Sequence, residues 1–114
     1  MARVLISEAD PDVRRLLVVL VERCGHEAIV LDRDVVVPPR ADALLVDPVA
    51  PASLVHAHLV REFAPALPVI ALNPLPGHVR LPGRGPTAFL PKPFAPEALR
   101  CVLDEALGLI ASPV

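Results

Sequence analysis

Tryptophan and tyrosine are absent from these 114 residues, and phenylalanine occurs three times. Single-stranded nucleic acid binds largely by stacking its bases on aromatic rings, so that mode has little to work with here. An excess of one charge is missing too. The formal net charge is −2, which makes no electrostatic case for nucleic acid as a partner. No stretch approaches the run of about 18 apolar residues that a membrane span needs. The opening MARVLISEAD has one Arg and a short apolar run broken by acids, unlike a secretory signal, so a cytoplasmic protein is expected. The only cysteines are Cys24 and Cys101. Cys24 ends one expected helix and Cys101 lies near the start of another. That is an offset on the order of 10 Å at a rise of about 1.5 Å per residue, so both are expected reduced and buried rather than bridged.

What remains is strongly apolar, at 54% hydrophobic residues, enough for one core in a single domain spanning residues 1–114. The 15 prolines concentrate between elements. Arg3 to Ser7 (RVLIS) suits a buried strand. Asp10 and Pro11 then offer an N-cap and a first helical residue. Val13, Leu16, Leu17, Leu20, Val21 and Cys24 recur at helical spacing until Gly25. His26 to Leu31 and Ala43 to Val46 read as strands, joined by a linker in which Pro38-Pro39 forbids a full helix. Ser53 is expected to cap a helix carrying Leu54, Val55, Leu59 and Phe63. Pro68 to Leu72 is a fourth strand that properly starts after its proline. Residues 73–87 are too rich in Pro and Gly for an ordinary helix. Ala88 to Leu90 is a fifth strand, and a last helix carries Leu99, Val102, Leu103, Ala106, Leu107 and Ile110 before a frayed ASPV tail.

Alternating strands and helices with continuously apolar strands predict an α/β domain, a parallel sheet doubly wound by right-handed crossovers. Sites in such sheets form outside the carboxyl ends of the strands. Glu8 and Asp10 follow the first strand, Asp47 the third, Asn73 the fourth and Lys92 the fifth. These residues converge at one end of the domain. Carboxylates suit Mg²⁺, an Asp beside it can accept a phosphoryl group, and a Lys can neutralise the transferred oxygens.

Four short segments, in order and in register over nearly the whole chain, sharpen this. VLISEADPDVRRLL resembles the first strand and acidic pocket of a response-regulator receiver domain. LLVDPVAP resembles its phosphoacceptor segment, PVIALN its fourth strand and FLPKPF its fifth strand with the Lys-Pro pair. The resemblance implies a flavodoxin-like five-stranded sheet of order 2-1-3-4-5. It implies Asp47 as phosphoacceptor, Lys92 as phosphoryl ligand and a cis Lys92-Pro93 bond. Glu8, Asp10, Asp47 and the Val49 carbonyl become the candidate Mg²⁺ ligands, and Phe89 takes the place of the aromatic switch, against plain core. The implied partners are a histidine kinase or phosphotransfer protein and a protein output partner.

The chain departs from the pattern at three points. Ala9 stands at the second acidic position, which weakens Mg²⁺ binding or abolishes it; Asp10, one residue on, serves equally as an N-cap. Asn73 replaces a Ser or Thr; its amide can donate to a phosphoryl group but lacks the hydroxyl rotor. The second and fourth helices of the fold look truncated or missing. The first expectation is a stand-alone receiver in a two-component or phosphorelay pathway, not an enzyme, a monomer or weak dimer, with output by protein contact. The alternative is a pseudo-receiver that binds without phosphoryl chemistry. A small flavodoxin-like enzyme or nucleotide binder ranks last, because EADPD carries no Gly-rich phosphate loop.

His56 and His58, two apart on a helix, face different ways and form no metal pair. His26 and His78 are expected to be solvated, as are Arg14, Arg15, Glu22 and Arg23. Arg80 and Arg84 in the Pro/Gly loop are candidates for a partner surface.

Overall fold

Local chemistry starts each helix. In the computed structural model, which describes residues 1–75, 77 and 79–108, strand β1 (Arg3–Ser7) leads into helix α1 (Pro11–Arg23). The Asp10 carboxylate accepts from the Asp12 and Val13 N–H groups, and Pro11 occupies the first turn, where no N–H is missed. The helix stops at Cys24, and Gly25 turns the chain at φ +86°. Strand β2 (Glu27–Val30) and strand β3 (Ala43–Val46) follow, then α2 (Pro51–Phe63), β4 (Val69–Ala71), β5 (Thr87–Phe89) and α3 (Pro96–Ala106). The readings of His78, Ile110 and the ASPV tail fall outside the described residues.

All four strand pairings are parallel, in the order β2-β1-β3-β4-β5, as expected. Alternation along each strand divides the core. Val4, Ile6, Ala43, Leu45, Ile70 and Leu72 face α1 and α3, where Leu17, Leu20, Val21, Leu99 and Leu103 meet them. Leu5, Leu44, Val46 and Val69 point the other way, onto Ala57 and Val60 of α2. The double winding is therefore lopsided, with two helices on one face and one on the other. Among the described residues, neither the β2–β3 nor the β4–β5 connection contains a helix.

Several side chains depart from the sequence reading. Ser53 does not cap α2. The helix begins two residues earlier at Pro51, with Ala50 at the N-cap and no side-chain cap, and Ser53 is buried inside it. The inward face of α2 is Ser53, His56, Ala57, Val60 and Arg61, whereas Val55 and Phe63 are exposed. Two of those inward residues are ionisable types, so apolar periodicity pointed to the wrong face. Leu16 is likewise exposed, because Leu17, Leu20 and Val21 fill the space under α1. His26 is buried rather than solvated; its Nδ1 accepts from the Ala2 N–H at 3.1 Å. Cys24 is half-buried, while Cys101 is exposed, since Leu99 and Leu103 define the inward side of α3. Both cysteines are free.

Candidate functional site at the strand ends

Register places the two central acids side by side. Ser7 of β1 pairs with Val46 of β3, so Glu8 and Asp47 each lie one residue beyond adjacent strand ends. Both are buried. Lys92, just past β5, reaches back over them: its Nζ lies 2.8 Å from Glu8 Oε1 and 2.6 Å from Asp47 Oδ2. The Lys92-Pro93 bond is cis. Asp47 Oδ1 accepts from the Val49 N–H at 3.0 Å. Burial alone pushes the Asp47 carboxyl up. Hydrogen bonds from Lys92 and the Val49 N–H, with help from Asn73 and the Lys92 charge, outweigh it and hold the pKa below the usual carboxylate value. The Lys92 ammonium is pulled down by burial but raised overall by its hydrogen bonds to Asp47 and Glu8 and by their charges.

Glu8, Asp47, Asn73 and Lys92 therefore come together, as the sequence predicted. Asp10 does not join them: it is exposed and its carboxylate is engaged in capping α1. Phe89 is 53% exposed, so the plain-core reading does not hold for it. Arg14, read as part of a solvated face, is half-buried and donates to the Glu8 carbonyl at 3.1 Å.

Two further groups escaped the sequence reading. Beside Glu8, the Ser7 hydroxyl lies 2.7 Å from His56 Nδ1 and 3.0 Å from Ser53 Oγ, all buried. His56 Nε2 meets the Arg33 carbonyl at 3.0 Å. A carbonyl only accepts, so Nε2 carries a proton. These groups line a cavity of about 300 Å³ with Arg14 and Arg33, but their polar atoms are engaged with one another.

The second group centres on Arg61, only 2% exposed. Its guanidinium donates to the carbonyls of Leu67 (2.7 Å), Pro82 (3.3 Å), Gly85 (2.6 Å) and Pro86 (2.7 Å), and to Thr87 Oγ1 (3.2 Å). No carboxylate pairs with it among the described residues, and burial lowers its pKa. A guanidinium has five donors in a fixed fork, which suits a cluster of carbonyls. The only signal in the sequence was an Arg within the helical period of Ala57 and Val60.

No protein-family model matches the sequence, and no curated protein matches it significantly. Solved structures do match. The receiver domain of the sensor histidine kinase PA1611 from Pseudomonas aeruginosa superposes with a TM-score of 0.72 at 23% identity, covering 94% of this chain and 98% of that one. The N-terminal domain of the lantibiotic response regulator NsrR gives 0.71 at 20% identity, covering 94% and 98%. The fold is that of a response-regulator receiver domain. NtrX from Brucella abortus also matches, with a TM-score of 0.74 at 24% identity over 95% of this chain, which spans about a quarter (26%) of NtrX.

The PA1611 receiver domain holds a magnesium ion in its active-site cleft. The acids at the corresponding end of this receiver fold do not fit such an ion. Mg²⁺ demands octahedral oxygen ligation, commonly with carboxylates. Ala9 supplies no side-chain oxygen, and Asp10 is turned to its cap. Glu8 and Asp47 each already hold the Lys92 ammonium. The remaining buried oxygen without a partner among the described residues is Glu8 Oε2. No three His, Cys, Asp or Glu side chains converge as a metal group among those residues.

Proposed function

We propose that this chain is a receiver-type module of two-component signal transduction that acts by protein–protein contact, with a contact surface that does not depend on phosphorylation of Asp47. The Arg61 clamp carries this reading. A phosphorylation switch needs an element with two arrangements only a few kcal/mol apart. Here the connection from β4 to β5 is fastened to α2 through one buried guanidinium. Moving that connection would strand a charge away from water, at a cost of several kcal/mol. Asn73, at the start of the same connection, has no hydroxyl to rotate toward a phosphoryl group. In this reading the module is no enzyme and works in the cytoplasm; no helix among the described residues is long and apolar enough to cross a membrane.

The test is intact mass after incubation with a small phosphodonor and Mg²⁺, beside amide exchange over residues 80–89. Unchanged mass, or a gain that leaves exchange unaltered, supports the reading. A phosphate-sized gain that is absent in Asp47→Ala and loosens those amides overturns it. That outcome would select the second reading, an Asp47 phosphoacceptor served by a histidine kinase or phosphotransfer protein. The ionised Asp47 carboxylate beside Lys92 favours it.

A further inference from the structure

Two carboxylates set side by side at buried strand ends need a cation. Glu8 and Asp47 are delivered there by the β1–β3 register, and Asp47 follows a strand with no exposed residue. Neither can swing away without breaking other contacts: Asp47 Oδ1 is tied to the Val49 N–H, and the Glu8 side chain is 2% exposed. An oxygen-ligated metal between them would have to displace an ammonium that both carboxylates already hold, and Ala9 and the capping Asp10 add no further anionic ligand to offset that loss. The cation present is the Lys92 ammonium, which bonds both carboxylates at once.

We infer that Lys92 is the pocket's built-in cation, doing for Glu8 and Asp47 what a divalent ion would otherwise do, so that the wild-type pocket takes up no Mg²⁺ and becomes sensitive to divalent cations only when Lys92 is removed. This rests on the phosphorylation-independent reading above and gives it a cause. It also assigns Lys92 a second task. One side chain ties the ends of β1 and β3 to the segment leading from β5 into α3, so the strand ends are held by a covalently tethered charge that cannot dissociate.

The experiment is thermal unfolding of wild type and Lys92→Ala in chelator, then in millimolar MgCl₂ or MnCl₂, with NaCl controls at matched ionic strength. Wild type is expected to show the same midpoint throughout. Lys92→Ala should melt lower in chelator and recover by several degrees with Mn²⁺ or Mg²⁺, and Glu8→Gln added to it should abolish the recovery. A wild-type midpoint raised as far as the variant's, or a variant deaf to both ions, overturns the inference. Should Lys92→Ala not fold, Mn²⁺ titrated into the wild type decides: selective broadening of amides around residues 8, 47 and 92 overturns the inference, and its absence supports it. Failure here is separable from failure of the functional reading, which shows instead as phosphate-dependent loosening of residues 80–89.

Discussion

The Lys92 ammonium lies 2.6 Å from the Asp47 carboxylate, across 45 residues of sequence. The pair is strong because Lys92 is shared with Glu8, and side-chain exposure is only 25% for Lys92 and 12% for Asp47. Removing Lys92 leaves two adjoining carboxylates. Lys92→Met is therefore expected to cost about 1–3 kcal/mol in urea unfolding, below the figure for a fully buried pair. A cost under about 0.3 kcal/mol would sink this account of the pocket.

The same pair sets a pH window. The Asp47 pKa is depressed, so its contribution is present above the ordinary carboxylate value and lost as pH falls through the lower folded value. The Lys92 pKa is raised, so its contribution is present below the ordinary lysine value and lost as pH rises through the higher folded value. The stability gap between wild type and Lys92→Met should thus be flat from about pH 5 to about pH 9 and shrink below about pH 4 and above about pH 10.5. Urea midpoints across that range check it. A gap that instead peaks near neutrality would point to a different titrating group.

Arg61→Met should be the more damaging change, at about 3 kcal/mol or more, because it leaves the Leu67 and Gly85 carbonyls without their donor and strands the Pro86 carbonyl with the Val69 N–H alone. Arg61→Lys should recover little, since an ammonium lacks the planar fork. Amide exchange adds a local readout. The Arg84 and Gly85 N–H groups both donate to the Pro65 carbonyl at 2.9 Å, and they should lose protection first.

Two glycines should respond differently to alanine. A Cβ on Gly85 would fall 2.5 Å from the Leu67 carbonyl oxygen, a backbone atom that cannot step aside. One on Gly25 meets nothing within 4 Å, and its φ of +86° is the only obstacle. Gly25→Ala should cost about 1 kcal/mol and Gly85→Ala more than that, with denaturant midpoints ordering the two. The reverse order would mean that the β4–β5 connection is looser than the Arg61 contacts imply.

His56 should be found with a proton on Nε2, because its partner there is the Arg33 carbonyl. Ring ¹⁵N shifts test this. His56→Ala should cost about 2 kcal/mol, since it leaves the buried Ser7 hydroxyl and the Arg33 carbonyl short of partners.

The sequence by itself determined the fold and the acid-lysine pocket. An apolar run as short as ALLV, bounded by turn residues, reads as a strand buried on both faces. Asp10-Pro11 and Gly25 punctuate α1 by local chemistry alone. Polar residues that end parallel strands must gather at one edge of the sheet, which is how Glu8, Asp47, Asn73 and Lys92 could be grouped without coordinates. Prolines likewise removed two helices in advance, because a missing N–H and a fixed φ act locally. The tertiary structure alone decided what depends on partners distant in sequence. His56 and Arg61 turn inward because carbonyls from the Arg33 turn and from residues 67–86 wait there. Asp10 turns to its own helix because two N–H groups lie closer than any pocket. Lys92 bridges Glu8 and Asp47 because strand register brings two carboxylates within reach of one ammonium. A polar side chain goes where its hydrogen bonds are, and those partners exist only once the chain has folded.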